Sequence, residues 1–572
     1  MAKTPTSPTF ALGTGTLLAA GTLVVAALGS AACSSSTPAS TTKDGGSKEA
    51  STTTDAGHPS DAKKPPVSDA GADADAATTP DSGPPPMMFA VPPAWNQTYT
   101  QPSDDAGAAS RAACTFTRGA MPAQTLGPST ALDKDIPIQH IVVLTQENRS
   151  FDSYLGHLAQ YEATKGITNT IESAPATASN PNYPQDQIDG GTSADAGDAA
   201  LATHPWQHAS QLCFFDTSHS WGGAHTEYDK GLNDGFYYMN NGMGDVGEST
   251  TGISPAQLSG ERAMWWYDQT DIPFYYDVYS TFAMADHYHS ALLGSTYPNR
   301  MYLYSATSFG LTGNTFPNIS AYPTAETPVI IFDELAVRGI SFNWYTDMGA
   351  PAEGIVLPLG VSTRYGVSPV KQFSQFLADA KSGNLPAVSF IDGDNLNETT
   401  TGNDEHPPSE IEIGQQFVWQ VINAVTTSPE WSSTVLFVTY DENGGIYDHV
   451  LPPAACEPDS LQPVLLTPLD QSQPGAFNQY GFRVPFLAVS PYSKKSYVSH
   501  TVYSHTSITR FIEAKFKIPA LTARDANADP FTDLFDWQNP PFMTPPTFAE
   551  PTINQAAVTA CTTELNPPMP GH

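Results

Sequence analysis

The sequence predicts an α/β fold, with a mostly parallel central sheet covered by helices on both faces. Three observations predict it. Short apolar runs rich in β-branched residues recur along the chain and stop abruptly at polar groups. Segments with apolar residues three and four apart lie between them, which is helical spacing. Aromatic residues make up 10% of 572 residues, enough for a substantial core.

In chain order, residues 140–144 (HIVVL) lead into Thr145-Gln146-Glu147-Asn148, and 388–391 (VSFI) into Asp392-Gly393-Asp394. Residues 435–438 (VLFV) lead into Thr439-Tyr440-Asp441-Glu442-Asn443, and 485–489 (PFLAV) into Ser490-Pro491. Continuous apolar runs suit strands buried on both faces, as in parallel sheets. Residues 415–425 (QQFVWQVINAV) and 507–516 (SITRFIEAKF) read as helices. Alternating strands and helices argue for α/β architecture, whose sites lie beyond the carboxyl ends of the strands. Glu147, Asn148, Asp441 and Glu442 are therefore expected at one sheet edge.

The N-terminus reads as an export segment. Residues 9–32 carry no charge and include the apolar run 17–28 (LLAAGTLVVAAL), followed by Gly29-Ser30-Ala31-Ala32 and Cys33. Small residues before Cys resemble a bacterial lipobox, which makes residues 1–32 a lipoprotein-type signal and Cys33 a lipidated membrane attachment. Cleavage after Ala32 with a free Cys33, or a retained anchor, are the alternatives. Residues 33–105, rich in Ser, Thr, Ala, Asp and Pro, read as a disordered tether. The catalytic domain is expected over 106–545, with an acidic insertion near 173–202, and a Pro-rich tail over 546–572. The expected location is the cell envelope or outside the cell.

Composition excludes some partners. Lys and Arg total 24 against 58 Asp and Glu, a net charge of −34. Nucleic acid is not an expected partner, because phosphate neutralisation needs clustered basic residues. A polybasic grip on anionic lipid is excluded for the same reason. With Cys33 lipidated, Cys114, Cys213, Cys456 and Cys561 remain, and two disulfides with three possible connectivities suit an exported protein. A Cys114–Cys561 staple across the domain is one of the three.

The pairs Glu147-Asn148 and Asp441-Glu442 offer oxygen ligands for a divalent cation, which would relieve their mutual repulsion. Each pair also suits a local cap or turn. Ser295 and Thr296 sit on a Gly-to-Pro turn (GSTYPNR, 294–300), where a metal-activated hydroxyl becomes a nucleophile. An ordinary turn has the same local pattern. Among 14 His, the residues His219, His225, His287, His289, His406 and His449 sit among polar or aromatic neighbours. They suit phosphoryl binding, protonation of a leaving group or ligation of a second metal.

Residues 136–156 (IPIQHIVVLTQENRSFDSYLG) and 438–453 (VTYDENGGIYDHVLPP) resemble the bacterial phosphoesterase family. That family contains phosphatidylcholine-type phospholipases C and a group of acid phosphatases within the alkaline phosphatase superfamily. The resemblance continues in order through Ser218-His219-Ser220-Trp221, GLNDGF (231–236), DIPFY (271–275), ADHY (285–288), GSTYPNR (294–300), DEHPP (404–408), RVPFLAVSP (483–491) and YSHTSITRFIE (503–513). It implies an alkaline-phosphatase-like fold and a metal held by Glu147, Asn148, Thr296, Asp441 and Glu442. It implies Thr296 as nucleophile, with Ser295 as second choice. His219, His406 and His449 would lie near the phosphate, with His449 as acid toward the leaving group. Asp286 and Asn299 would be supporting residues. The implied activity is a phospholipase C acting through a phospho-threonine, on phospholipid or another phosphate ester. An acid phosphatase is the alternative. The metal is left open among Ca, Mg, Mn and Zn. The turn departs from the family's Gly-Pro-Thr by carrying Ser295, and the chain is expected to be a short form beside the longer family members with extra C-terminal β-rich domains. A non-catalytic binding protein would have lost a ligand or the hydroxyl, and neither is lost.

Overall fold

Eight strands form one sheet: β1 (His140–Gln146), β2 (Ala283–Ala285), β3 (Phe342–Thr346), β4 (Val370–Gln372), β5 (Val388–Asp392), β6 (Thr434–Tyr440), β7 (Phe486–Val489) and β8 (Tyr497–Ser499). Their order is β8-β2-β7-β6-β1-β5-β3-β4. This computed structural model describes residues 97–565 apart from 183–201, 246–249, 251, 315–329, 348–367 and 395–398. The export segment, Cys33, the tether before residue 97, most of the acidic insertion and the end of the Pro-rich tail lie outside the described residues. Among the described residues, no helix is long and apolar enough to cross a membrane.

β1 is central and pairs in parallel with β5 and β6, in register Leu144↔Ile391 and Leu144↔Val438. Every residue of β6 is buried. Successive side chains point to opposite faces, so both faces of the sheet are covered at that strand. The fold class read from the sequence is the one observed.

One strand runs the other way. β7 is antiparallel to β6 and β2, with Thr439 opposite Phe486 and Leu487 opposite Met284. Its apolar run was expected to extend a parallel sheet. Burial on both faces leaves the same apolar pattern in either direction, so sequence does not encode direction here. The path between the strands does. A parallel return needs a crossover to the far edge, whereas the chain leaves β6 at the site edge and re-enters there through Arg483. Ser490 therefore ends at the opposite edge, donating its hydroxyl to the carbonyl of Thr434 at the start of β6 (3.0 Å).

Six helices matter for the site: α1 (Phe151–Leu155), α2 (Trp221–Tyr228), α3 (Thr296–Ser305), α4 (Ile411–Thr427), α5 (His505–Phe516) and α6 (Gln555–Glu564). In α4 the buried Ile411, Phe417, Val418, Val421, Ile422 and Val425 form one stripe facing the core. α5 packs against α3, and Thr509 donates its hydroxyl to the carbonyl of Leu303 at 2.7 Å.

The disulfides are Cys114–Cys456 and Cys213–Cys561, so the Cys114–Cys561 staple is corrected. α6 lies within the stretch read as a tail, and buries Cys561 and Leu565 beside Cys213, Phe215 and Leu258. Cys456, in the loop after His449, reaches the first described helix (Asp104–Ala112), its sulfur 3.9 Å from the Arg111 carbonyl.

Candidate active site

The two acidic pairs leave the adjacent strands β1 and β6 at the same edge and converge. Asp441 N–H donates to the Gln146 carbonyl (3.1 Å), and Asn148 N–H to Asp441 Oδ1 (3.3 Å). Asn148 holds a left-handed backbone, φ 59°, and so do Gly444 and Gly445 at 62° and 66°. A side-chain carbon on Gly444 would lie 2.6 Å from Asn148 Cβ, and one on Gly445 would overlap the Ser218 carbonyl. The paired glycines thus let the 147–148 and 218–219 segments close on the DEN turn.

An arginine occupies the centre of this arrangement. Arg300 is fully buried and donates Nη2–H to Glu147 (2.8 Å), Nε–H to Asp441 (3.1 Å) and Nη1–H to Asp392. Burial alone would lower its pKa, but the three carboxylates raise it well above the usual arginine value. In the sequence Arg300 ends the turn motif 294–300 and carries no local mark of a role. Crowded carboxylates were the available signal that a cation belongs there, and a guanidinium meets part of that need.

Arg300 also locates the hydroxyls. Thr296 opens α3, and Arg300 lies four residues on, so both occupy one helical face. Helical side chains tilt toward the N-terminus, so residues four apart on one face are neighbours. Ser295 is the N-cap residue and makes no capping hydrogen bond through its side chain. A carbon on Gly294 would lie 3.7 Å from Trp221 Cα, so the turn abuts the start of α2, two residues after His219. Asn299 clamps the turn. Its Oδ1 accepts from Ala291 and Leu292 N–H (2.8 and 3.1 Å), and its Nδ2 donates to the carbonyls of Gly294 and Ser295 (2.8 and 3.0 Å). Asn299 thereby ties the turn to the segment before it.

His219 and His406 are buried with rings 5.7 Å apart. His219 Nδ1 is 2.7 Å from the Thr217 carbonyl, and His406 Nδ1 is 2.6 Å from that of Pro407. Carbonyls only accept, so both Nδ1 atoms carry the proton. Burial alone would lower the His219 pKa, but Asp245, Glu442 and Asp216 together raise it well above the usual histidine value. No motif in the sequence marks Asp216 or Asp245. Asp216 stands three residues before His219, the one local hint.

His449 belongs to a neighbouring cluster on the same two segments. Its Nδ1 donates to Asp152 Oδ2 (2.6 Å), and its own N–H donates to the same oxygen (2.7 Å). Arg483 donates to Asp152 Oδ1 (3.0 Å) and to both oxygens of Asp448 (2.8 and 3.0 Å). The His449 side chain is 18% exposed, and its Nε2 lies 3.9 Å from Glu172. Burial alone would lower its pKa, but the Asp152 hydrogen bond and charge, with Asp448, raise it. Asp286 is buried and accepts from Glu172 N–H (2.9 Å) and His500 (2.9 Å). His287 pairs with Glu172 at 3.2 Å. His225 and His289 are pushed down to about 4 and about 3 by burial, and each bonds a backbone carbonyl through Nδ1.

A cation fits at the acidic pairs. The side-chain amide of Asn148 and Oε1 of Glu442 are buried without a hydrogen-bond partner among the described residues. Burial, the largest influence, pushes the Glu442 carboxyl up to about 8, against the pull of His219. A cation beside it would favour its ionised form.

A mainly parallel sheet with carboxylates, imidazoles and a helix-borne hydroxyl gathered at one edge is the frame of a hydrolytic α/β enzyme. The chain belongs to the Phosphoesterase family, whose model matches residues 138–519, and is a hydrolase of phosphoester bonds. It is 31% identical over 454 residues to Phospholipase C B of Mycobacterium tuberculosis, covering 73% of this chain and 81% of that one. It is 30% identical over 418 residues to Non-specific phospholipase C1 of Arabidopsis thaliana, covering 71% and 72%. Among solved structures, an alkaline phosphatase superfamily protein from Vibrio parahaemolyticus matches with 8% identity and TM-score 0.30, covering 68% and 79%.

Proposed function

We propose that this protein is a phospholipase C, cleaving the phosphodiester of a phospholipid to release diacylglycerol and a phosphorylated headgroup. One observation carries the reading. The helix that delivers Arg300 into the Glu147–Asp441 pair begins at Thr296, so the hydroxyl and the acidic pairs share one scaffold. The likeness to phospholipases C from a bacterium and a plant supports the substrate class.

Glu147, Asn148, Asp441 and Glu442, with Thr296, would hold a divalent cation, which when bound supplies Lewis-acid neutralisation of phosphoryl oxygens. The remaining chemistry falls to the chain. Thr296, its hydroxyl proton already given up to solvent, reacts as the alkoxide and is released as the alkoxide: Oγ1 forms a bond to phosphorus as the bond from phosphorus to the diacylglycerol oxygen breaks. His449, protonated and held by Asp152, donates its Nε2 proton to that oxygen. The same imidazole, now neutral, takes a proton from the water that attacks phosphorus. The phospho-threonine bond breaks, freeing Thr296 and the phosphorylated headgroup. Asn299 and Arg300 keep the turn in place throughout.

Export belongs to the same reading. The segment 1–32, Cys33 as a lipid-bearing N-terminus, and two disulfides suit an enzyme outside the cytoplasm. The test compares choline phosphate release from phosphatidylcholine with hydrolysis of a chromogenic phosphomonoester. Preferential cleavage of the lipid is expected, with Thr296→Ala lowering it by about 10³-fold or more at unchanged melting temperature. Preference for the monoester would assign an acid phosphatase instead.

A further inference from the structure

We propose that Asp216, His219 and His406, backed by Glu442, form a second cation site, selective for a divalent ion of the zinc class. The inference does not depend on which phosphoester is cleaved.

Three separate stretches supply the donors: the segment before α2, the loop after β5 and the end of β6. The donor atoms of Asp216, His219 and His406 lie within 4.8 Å of one another, and all three residues are buried. His219 Nε2 is 3.6 Å from Asp245 Oδ2 and 3.9 Å from Glu442 Oε1, and His406 Nε2 is 3.9 Å from Asp216 Oδ2. These spacings exceed hydrogen-bond length. They are close to those of co-ligands around one ion, since metal–nitrogen bonds of about 2.0–2.1 Å put tetrahedral ligands roughly 3.3 Å apart.

Proton placement agrees. Both imidazoles give their Nδ1 protons to backbone carbonyls, which fixes ring orientation and aims His219 Nε2 at Asp245 and Glu442 and His406 Nε2 at Asp216. Ligating histidines are held by this kind of outer hydrogen bond. Glu442 adds a donor that the acidic pairs share. Its Oε2 accepts from Gly444 N–H at 2.6 Å, while its buried Oε1, facing His219, has no hydrogen-bond partner among the described residues. The neighbouring guanidinium of Arg300 is engaged with Glu147, Asp392 and Asp441. Two imidazole nitrogens with carboxylate oxygens suit zinc-class ions, whereas calcium and magnesium favour all-oxygen shells.

The test uses the purified protein, stripped with chelator and titrated calorimetrically with zinc chloride and, separately, calcium chloride. Cobalt loading adds a visible spectrum as readout. Tight zinc uptake is expected, with cobalt bands that disappear in His406→Gln. Second-shell changes already cost about 10–100-fold in affinity, so His406→Gln and Asp216→Asn should each exceed that loss. Circular dichroism identifies any variant that fails to fold, and the other then carries the comparison. Equal zinc affinity in wild type and the His219→Gln/His406→Gln double variant would overturn the site. So would inorganic phosphate binding to the stripped protein through these histidines with no zinc uptake. Intact zinc binding with no lipid cleavage would count against the phospholipase reading and leave this site standing.

Discussion

Two buried arginines tie together the same two chain segments, and their surroundings differ. Arg300 joins Glu147 to Asp441 and Asp392, while five to seven residues further along the same segments Arg483 joins Asp152 to Asp448. Around Arg300, one positive charge faces three carboxylates, with Glu442 alongside. Around Arg483, two carboxylates face one guanidinium and one imidazole. The second group balances when His449 is protonated, and the first does not balance on its own. Carboxyl pKa values follow this difference. Burial raises Asp392 and Asp441 in spite of Arg300. Burial would also raise Asp152, but Arg483 and His449 outweigh it and lower it. A closed group short of positive charge is suited to an added cation, and a balanced group that is partly open is suited to moving a proton.

The largest effect expected from breaking this comparison is on stability. Arg300→Leu leaves three buried carboxylates facing one another and should cost about 3–5 kcal/mol or more in urea unfolding. Arg483→Leu should cost less at pH 5 than at pH 8, because protonated His449 remains to offset Asp152 and Asp448. Equal losses at both pH values would erase the distinction.

A smaller effect is expected on the rate. In Asp152→Asn, His449 loses its hydrogen-bonding carboxylate and keeps Asp448, Glu172 and Arg483 as charged neighbours. Its pKa falls, so the alkaline limb of kcat moves to lower pH, with a rate loss of about 10²-fold at neutral pH. The stability contribution has a definite sign. His449 is raised, so the pair's contribution is full below about pH 6.5 and fades as pH rises through the folded value. Asp152 is lowered, so the contribution is full above about pH 3.9 and fades as pH falls. Urea unfolding of wild type against Asp152→Asn across pH reads both limbs, and a difference that keeps growing above neutrality would contradict the assignment.

The smallest effect belongs to Glu172→Gln. Glu172 is 3.9 Å from His449 Nε2 and half exposed. Solvent screening limits its influence to at most about 1 kcal/mol, so kcat should change only a few-fold with a slight shift of the same limb.

Much of the frame was legible in sequence, because strands buried on both faces must be apolar and their carboxyl ends must turn polar. This placed β1, β5 and β6 and brought Glu147, Asn148, Asp441 and Glu442 to one edge. The direction of β7 was not legible, since burial leaves no directional mark. Arg300 and Arg483 lay inside quoted motifs, but nothing local to an arginine names a carboxylate 141 or 35 residues away. Asp245 acts on His219 from 26 residues along the chain, and the cysteine pairing depends on where α6 packs. Long-range partners of this kind are set by topology, which a single sequence carries only indirectly.

The central claim is that Thr296, carried by the helix that anchors Arg300, is the atom that receives the phosphoryl group. Acid-quenching the enzyme during turnover of short-chain phosphatidylcholine and sequencing its peptides by mass spectrometry tests this directly. The account predicts a phosphorylated peptide with the phosphate on Thr296, absent from Thr296→Ala. Phosphate found on Ser295, or undiminished turnover by Thr296→Ala, would contradict it.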